Sequence, residues 1–231
     1  MTKENIENSS EVNEVSHSNI FPQWVNILPR IILLAITGLV VFVVYLFWYW
    51  FTPQNFNVGY EPEQPIPYSH RLHVGQLGLD CRYCHTEVEN AAHANIPPVE
   101  TCMNCHEQIK TDSPHIQKLT EHYENDEPIE WVNVHVLPDH AYFDHSRHVN
   151  AGVGCVDCHG RVDQMEVVWQ TEPLSMGWCL ECHRNPEPNL RPREFVTQMD
   201  WETDESREDL GKKLRAQYHL NPREDCSACH R

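Results

Sequence analysis

All ten cysteines of this 231-residue chain fall into five strings of the form Cys-x-x-Cys-His. The strings comprise Cys81, Cys84 and His85; Cys102, Cys105 and His106; Cys155, Cys158 and His159; Cys179, Cys182 and His183; and Cys226, Cys229 and His230. Two thiols three positions apart can add to the two vinyl groups of one haem, and the following histidine then lies under the iron as its proximal ligand. The spacing therefore predicts five covalently attached haem c groups.

A single string of this kind would be ambiguous, because it could be half a zinc site or a thioredoxin-like redox pair. Neither zinc nor a disulfide framework requires a histidine directly after the second cysteine. That histidine is present in all five strings, and no cysteine is left over. The repetition favours haem over both alternatives.

Residues 29–51 are predicted to form one transmembrane helix. Positions 31–51 contain no charged residue, and at about 1.5 Å per helical residue they reach roughly 30 Å, the thickness of the hydrocarbon core of a bilayer. The competing interpretation is a cleaved signal peptide, but the apolar stretch is too long and no small-x-small cleavage site follows it. We therefore expect a retained single-pass anchor.

The anchor and the haem strings together predict a topology. Haem c is attached on the outer side of the bacterial inner membrane, so we expect residues 70–231 in the periplasm. Residues 1–28 are then a short cytoplasmic tail, and the proline-rich stretch 52–69 is an extended linker. The formal net charge of −17 makes nucleic acid an improbable partner.

A duplication precedes the first and third strings. Residues 68–74 read Tyr-Ser-His-Arg-Leu-His-Val, and residues 143–149 read Phe-Asp-His-Ser-Arg-His-Val. Each copy has the pattern aromatic-x-His-x-x-His-Val and is followed by two attachment strings. The repeat predicts two dihaem modules, at 70–130 and 131–192, and a third module with one haem at 193–231.

The paired histidines are the candidate distal ligands, because two histidines three positions apart can lie on one face of a helical turn. The pattern resembles the class III, multihaem cytochromes c, in which the first histidine of such a pair caps the haem attached just downstream and the second caps another haem. This resemblance implies that His70 caps the haem at His85 and His145 the haem at His159. It also implies that His73 and His148 reach neighbouring haems.

The fifth distal ligand is less constrained by the sequence. His219 precedes Cys226 by the same number of residues as His148 precedes Cys155, and it is the main candidate. The alternatives are His135, Met165 and Met176, and a thioether ligand would raise the potential of its haem. The remaining histidines of the haem region, His93, His115, His122 and His140, have no repeated context and are expected to be ordinary side chains.

The expected fold is one N-terminal transmembrane helix followed by a multihaem cytochrome c domain. Irregular loops and short helices packed around five haems should dominate that domain, with few strands. One amphipathic helix is predicted over residues 209–220, before Pro222.

Two longer strings carry a more specific resemblance. They are WVNVHVLPDHAYFDHSRHVNAGVGCVDCHGRVDQMEVV at 131–168 and EPLSMGWCLECHRNPEPNLRP at 172–192. With the single span and five haem strings, they resemble the pentahaem cytochrome subunit of alternative complex III. The resemblance implies a subunit of a quinol-oxidising complex that passes electrons to cytochrome c or a terminal oxidase. The implied partners are an iron–sulfur subunit, a monohaem cytochrome and polytopic quinol-binding subunits.

Two rival functions remain open at this point. The first is a stand-alone, membrane-anchored quinol dehydrogenase that feeds a periplasmic reductase; it would usually keep its first haem close to the span, whereas this chain has a long proline-rich spacer. The second is a catalytic multihaem reductase, which needs an iron with a vacant position. Because enough distal candidates exist for all five irons, we expect electron transfer with no catalytic residues of the chain's own.

Overall fold

The computed structural model describes residues 21–51 and 57–230. The chain divides into two units, Met1–Phe51 and Thr52–Arg231, which are described separately. Most of the predicted cytoplasmic tail, at 1–20, and the start of the predicted linker, at 52–56, lie outside the described residues.

The described part of the first unit, residues 21–51, is dominated by one apolar helix. Helix α1 spans Leu28–Trp50 and follows a 3₁₀ turn at Gln23–Ile27. Pro29 lies in its first turn, where a missing amide hydrogen costs nothing. Within Trp24–Trp50 an 18-residue window reaches a mean hydropathy of 2.8, so the segment is long and apolar enough to cross a membrane; a signal sequence near an N-terminus would satisfy the same criterion. The predicted bounds, 29–51, differ from the observed helix by one residue at each end.

The second unit consists of short helices joined by irregular segments. A π-helical turn covers Arg71–Gln76, and the α-helices are α2 Cys81–Cys84, α3 Val99–His106, α4 Pro114–Glu124, α5 His145–Ala151, α6 Cys155–His159, α7 Met176–Arg184, α8 Arg207–Gln217 and α9 Cys226–Cys229. Three 3₁₀ turns lie at Val162–Gln164, Glu187–Asn189 and Arg193–Phe195. Between residues 57 and 230 the only strand-like pairing is an isolated bridge that joins Val153 and Leu190. The expected mixture of loops and short helices is confirmed.

Every attachment string forms or ends a short helix, and the flanking residues explain why. Asp80 caps α2, because its carboxylate accepts a hydrogen bond from the Arg82 amide. Ser175 caps α7 in the same way, through the amide of Trp178. Pro98 precedes α3 and has an extended backbone. Proline has no amide hydrogen, which costs nothing at a helix start because no intrahelical bond would use it.

Helix α8 begins two residues before its predicted start and ends three residues before its predicted end. Glu208 and Asp209 occupy its first turn, where acidic side chains interact favourably with the helix dipole. At the other end, His219 adopts a φ of 55°, which no right-handed helix can include.

The apolar core of this unit is small. One buried cluster contains Ile66, Val99, Met103 and Leu119, and another contains Val88, Val149 and Val196. A domain of this length normally buries one contiguous core, and core-poor domains rely on staples such as bound prosthetic groups. The small clusters agree with a fold organised around cofactors.

Candidate haem centres

Four of the five proximal histidines share one hydrogen-bonding arrangement. The Nδ1 atom of each lies close to a backbone carbonyl oxygen: His85 to Asn95 at 2.7 Å, His106 to Ile109 at 3.0 Å, His183 to Arg223 at 2.6 Å, and His230 to His140 at 2.9 Å. A carbonyl accepts only, so Nδ1 carries the hydrogen and Nε2 keeps its lone pair. This is the tautomer in which a histidine binds a metal ion through Nε2.

The repeated sequence forms two similar groups of rings, which we call histidine clamps. The first clamp consists of Tyr68, His70 and His73. The Tyr68 ring meets the His70 ring edge-on, with centroids 4.8 Å apart, and stacks on the His73 ring at 4.4 Å. The Nδ1 atom of His73 lies 2.8 Å from the carbonyl oxygen of Ser69, so its Nε2 is also free to bind iron.

The second clamp consists of Phe143, His145 and His148. Phe143 meets His145 edge-on at 4.7 Å and stacks on His148 at 4.4 Å. The Nδ1 atom of His148 lies 2.8 Å from the carbonyl oxygen of Asp144, four residues before it. The two sequence copies therefore share one local geometry.

Three clamp histidines face proximal histidines at nearly the same distance. Ring centroids are 6.2 Å apart for His73 and His106, 6.0 Å for His148 and His183, and 6.3 Å for His145 and His159. Imidazole nitrogen binds metal ions such as zinc at about 2 Å. Two rings on opposite sides of one iron would therefore have centroids about 6 Å apart, so these spacings fit bis-histidine ligation.

The His85 imidazole is among the neighbours of His70, and the assignment of His70 to the haem at His85 stays a prediction from the resemblance. Burial, followed by the neighbouring imidazoles of His85 and His73, lowers the pKa of His70 to about 4. The buried Nδ1 atom of His70 has no hydrogen-bond partner within the described part of the chain. The ring is therefore neutral, as metal ligation requires.

His159 has two histidine neighbours. Besides His145, it contacts His135: the ring centroids are 4.4 Å apart, and the Nδ1 atom of His159 lies 3.3 Å from the Nε2 atom of His135. Burial, and then the imidazoles of His135 and His145, lower the pKa of His159 to about 3. His135 thus occupies the place that a backbone carbonyl holds beside the other proximal histidines, whereas His145 lies at the distance of a ligand.

The fifth proximal histidine, His230, lies next to His140. Their ring centroids are 5.6 Å apart, and the Tyr142 amide donates to the carbonyl oxygen of Cys229 at 2.8 Å. Over the described residues, no ring contact pairs His219 with a proximal histidine. The His140 carbonyl that bonds Nδ1 of His230 keeps the His140 ring away from the Nε2 side, so His140 orients the proximal ring, and His219 stays a prediction from sequence spacing.

The two methionine alternatives lie in different environments. Met165 is buried, and its carbonyl oxygen accepts a hydrogen bond from the Arg71 amide beside the first clamp. Met176 begins α7 and is 63% exposed. Neither has a position comparable to the clamp histidines, and both stay predictions.

A buried ion pair supports the third attachment string. Arg191 is 1% exposed, and its guanidinium contacts the Asp157 carboxylate at 3.1 Å. Asp157 also accepts a hydrogen bond from the Gly154 amide at 3.0 Å, and Arg191 donates to the carbonyl oxygen of Gln198 at 3.0 Å. A Cβ atom at Gly154 would lie 2.2 Å from the guanidinium carbon, so only glycine leaves room for Arg191. Sequence reasoning missed this pair, because its members lie 34 residues apart.

These residues fit haem c on observations of the chain itself. Cysteine pairs lie on single helical turns, backbone carbonyls hold four of the five proximal imidazoles in the metal-binding tautomer, and three of the five face a second ring at 6.0 to 6.3 Å. A haem bound there would supply one-electron chemistry, while the protein holds and orients the ligands.

Comparison with known proteins agrees with this geometry. Residues 141–231 match the family model for cytochrome c7 and related cytochrome c. The second unit is a multihaem cytochrome c domain. Over 123 residues the chain is 31% identical to the menaquinone reductase, multiheme cytochrome c subunit, of Nitratidesulfovibrio vulgaris (strain Hildenborough). The alignment covers 53% of this chain and 56% of that subunit, so the chain spans about half the length of the curated relative it matches.

Proposed function

We propose that this chain is the electron-transfer subunit of a membrane-bound quinol-oxidising complex and carries electrons through five haem c groups. The observation that carries the proposal is the pairing of imidazoles: His106, His159 and His183 each face a second ring at ligand distance. An iron with two protein ligands has no free position for a substrate, so it can relay electrons but not transform a molecule.

The work of the protein is to hold these ligands in place. Hydrogen bonds from Nδ1 to backbone carbonyls fix the orientation of four proximal rings and raise the basicity of their ligating nitrogens. The aromatic ring of each clamp packs against both of its histidines and keeps them splayed towards different sites. Differences in burial and hydrogen bonding then set the order of haem potentials.

The proposed setting is the bacterial inner membrane, with the haem domain in the periplasm. Helix α1 would be the single-pass anchor. The similarity to a multihaem subunit of a menaquinone reductase supports membership of a multisubunit quinone-linked complex. The proposed partners are those of alternative complex III: an iron–sulfur subunit, a monohaem cytochrome, polytopic quinol-binding subunits and a terminal oxidase or cytochrome c as acceptor.

The test of the haem assignment uses the full-length native protein. Intact-mass measurement should show five haem increments, and low-temperature electron paramagnetic resonance should show low-spin haems. Replacing His145 by alanine should convert one haem to the high-spin form. The ring centroids of His145 and His159 are 6.3 Å apart, and we propose His145 as the distal ligand of the haem attached beside His159. The matched control is His115→Ala, since His115 is an exposed histidine on α4. An unchanged spectrum for His145→Ala would refute this ligand assignment.

The second candidate function is that of a stand-alone quinol dehydrogenase. Purification under mild detergent distinguishes it from the first. Co-purification of iron–sulfur and polytopic subunits supports the complex. Isolation of a single polypeptide that still oxidises quinol would replace it with the stand-alone enzyme.

A further inference from the structure

The first and second attachment strings are direct neighbours. The side-chain amide of Asn104, in the second string, donates to the Tyr83 hydroxyl of the first at 3.2 Å. Burial, and then the neighbouring Cys84, Cys102 and Cys81 thiols, raise the pKa of the Tyr68 hydroxyl. That hydroxyl therefore lies among cysteines of both strings.

The first string also touches the third. One short segment binds both strings, although 74 positions separate Cys81 from Cys155. The Cys155 amide donates to the carbonyl oxygen of Val196 at 2.9 Å, and the Cys81 sulfur lies 3.9 Å from the carbonyl oxygen of Thr197. Neighbouring residues of one segment thus hold cysteines that would bond two different macrocycles.

The third string faces the fourth across an open cavity of about 390 Å³. Cys158 of the third string and Cys182 of the fourth both line it, together with Trp178 and Asn189.

The fourth string is joined to the fifth by the residues just before α9. The Nδ1 atom of His183 lies 2.6 Å from the carbonyl oxygen of Arg223, and Arg184 pairs with Glu224 at 3.0 Å. Cys179 lies close enough to Cys229 to interact with it electrostatically. Each contact described so far joins strings that are neighbours in the order second, first, third, fourth, fifth.

Solvent exposure identifies the two ends of this order. Of the ten cysteines, Cys105 and Cys226 are exposed, and the other eight are partly buried. Cys105 belongs to the second string and Cys226 to the fifth. The two attachment sites with an exposed cysteine are thus the two that the contacts place at the ends of the row.

We propose that the five haem sites form one unbranched row in the order second, first, third, fourth, fifth, and that electrons are exchanged with partner redox proteins at the second and fifth sites. The order differs from that of the sequence, because the first site is interior and the second is an end. The inference rests on the proposed function, since it needs all five haems in place.

The experiment locates the five irons in the full-length holoprotein, by anomalous diffraction or by cryo-electron microscopy in detergent. Numbering the irons by attachment string, we expect the iron–iron distances 2–1, 1–3, 3–4 and 4–5 to be shorter than the distance between any other two irons. The second and fifth macrocycles should also expose more of their edge than the other three. A second iron that is closer to the third or fourth than to the first overturns the order, and a more exposed interior macrocycle overturns the choice of ends.

A solution measurement checks the most diagnostic contact. In the fully reduced protein, whose low-spin haems are diamagnetic, the thioether protons at Cys81 and Cys155 should give a nuclear Overhauser cross-peak. A cross-peak between the thioether protons of the second and third strings in its place would refute the row. Intact mass is measured first: fewer than five haems contradicts the proposed function, whereas five haems in another arrangement contradicts only the order.

Discussion

The two histidine clamps have nearly the same geometry in different backbone settings. The edge-on contacts are 4.8 and 4.7 Å, and the stacked contacts are both 4.4 Å. Yet His73 of the first clamp lies in a π-helical turn, Arg71–Gln76, whereas both histidines of the second lie in the α-helix His145–Ala151. The clamp is therefore a local property of aromatic-x-His-x-x-His and does not depend on the type of helix that contains its histidines.

The surroundings of the two clamps differ more than the clamps do. Near the first, Arg82 pairs with Asp80 and Glu89 at 2.9 and 3.1 Å, and all three side chains are substantially exposed. Near the second, Asp157 of the third attachment string pairs with Arg191, whose side chain is buried. Local sequence thus shapes each clamp, whereas long-range contacts hold its module, and the second module depends on them more strongly.

Replacing Arg191 by methionine should give the largest loss of stability. The substitution leaves the Asp157 carboxylate buried and unpaired, which typically costs about 3–5 kcal/mol. The measurement is the free energy of unfolding in guanidinium, followed by circular dichroism of the holoprotein.

The matched variant is Arg82→Met, whose exposed ion pair is worth at most about 1 kcal/mol. The double variant Arg191→Met/Asp157→Asn should recover part of the loss, because it removes the unpaired charge. Equal losses for Arg191→Met and Arg82→Met would show that the two modules are held alike.

The next prediction concerns Gly152, which ends α5 with a φ of 91°. An alanine there adopts a left-handed conformation at a cost of about 1–2 kcal/mol. Its Cβ atom would also lie 2.5 Å from the carbonyl oxygen of Arg191, so the backbone must move. We expect a total loss of about 2–3 kcal/mol for Gly152→Ala.

Gly78, after the first clamp, separates these two effects. Its φ is 70°, but nothing lies within 4 Å of an added Cβ atom, so Gly78→Ala should cost only about 1 kcal/mol. Both losses come from the same denaturant titration. If Gly152→Ala were no worse than Gly78→Ala, the contact with the 191 segment would not hold the second module.

Features encoded within a few residues were predictable from the sequence. The attachment strings, the apolar helix and the predominance of short helices follow from local spacing, and the multihaem fold is confirmed. The bounds of α8 were displaced because acidic residues favour an earlier first turn and the left-handed backbone of His219 ends the helix early, and neither effect shows in apolar periodicity.

Contacts between distant residues were not predictable in this way. His140 meets His230 across 90 positions, and its own neighbourhood contains no repeated pattern that would mark it. The same holds for Arg191, which the sequence presents as one arginine in a proline-rich stretch. Residue type and spacing identify what can bind a haem, whereas the packing of irregular segments decides which residues meet.

The smallest expected effect is an acid dependence at the first module. Hydrogen bonds from Arg82, and a further one from Thr197, lower the pKa of Asp80 to about 2, although burial opposes this. A carboxyl group with a depressed folded-state pKa stabilises the fold above its unfolded pKa of about 4, and loses that contribution as pH falls towards 2.

The Asp80 side chain is 45% exposed, so solvent screening limits its contribution to about 1 kcal/mol, comparable to a helix N-cap. Asp80→Asn should therefore lower the free energy of unfolding in urea at pH 6, and its difference from the wild type should shrink as pH falls below 4. Glu87→Gln, at an exposed position after the same string, is the control and should change little. If the difference in free energy of unfolding between Asp80→Asn and the wild type did not change with pH, the charge of Asp80 would contribute nothing to the cap. The two modules would then differ only in the buried pair of Arg191 and Asp157.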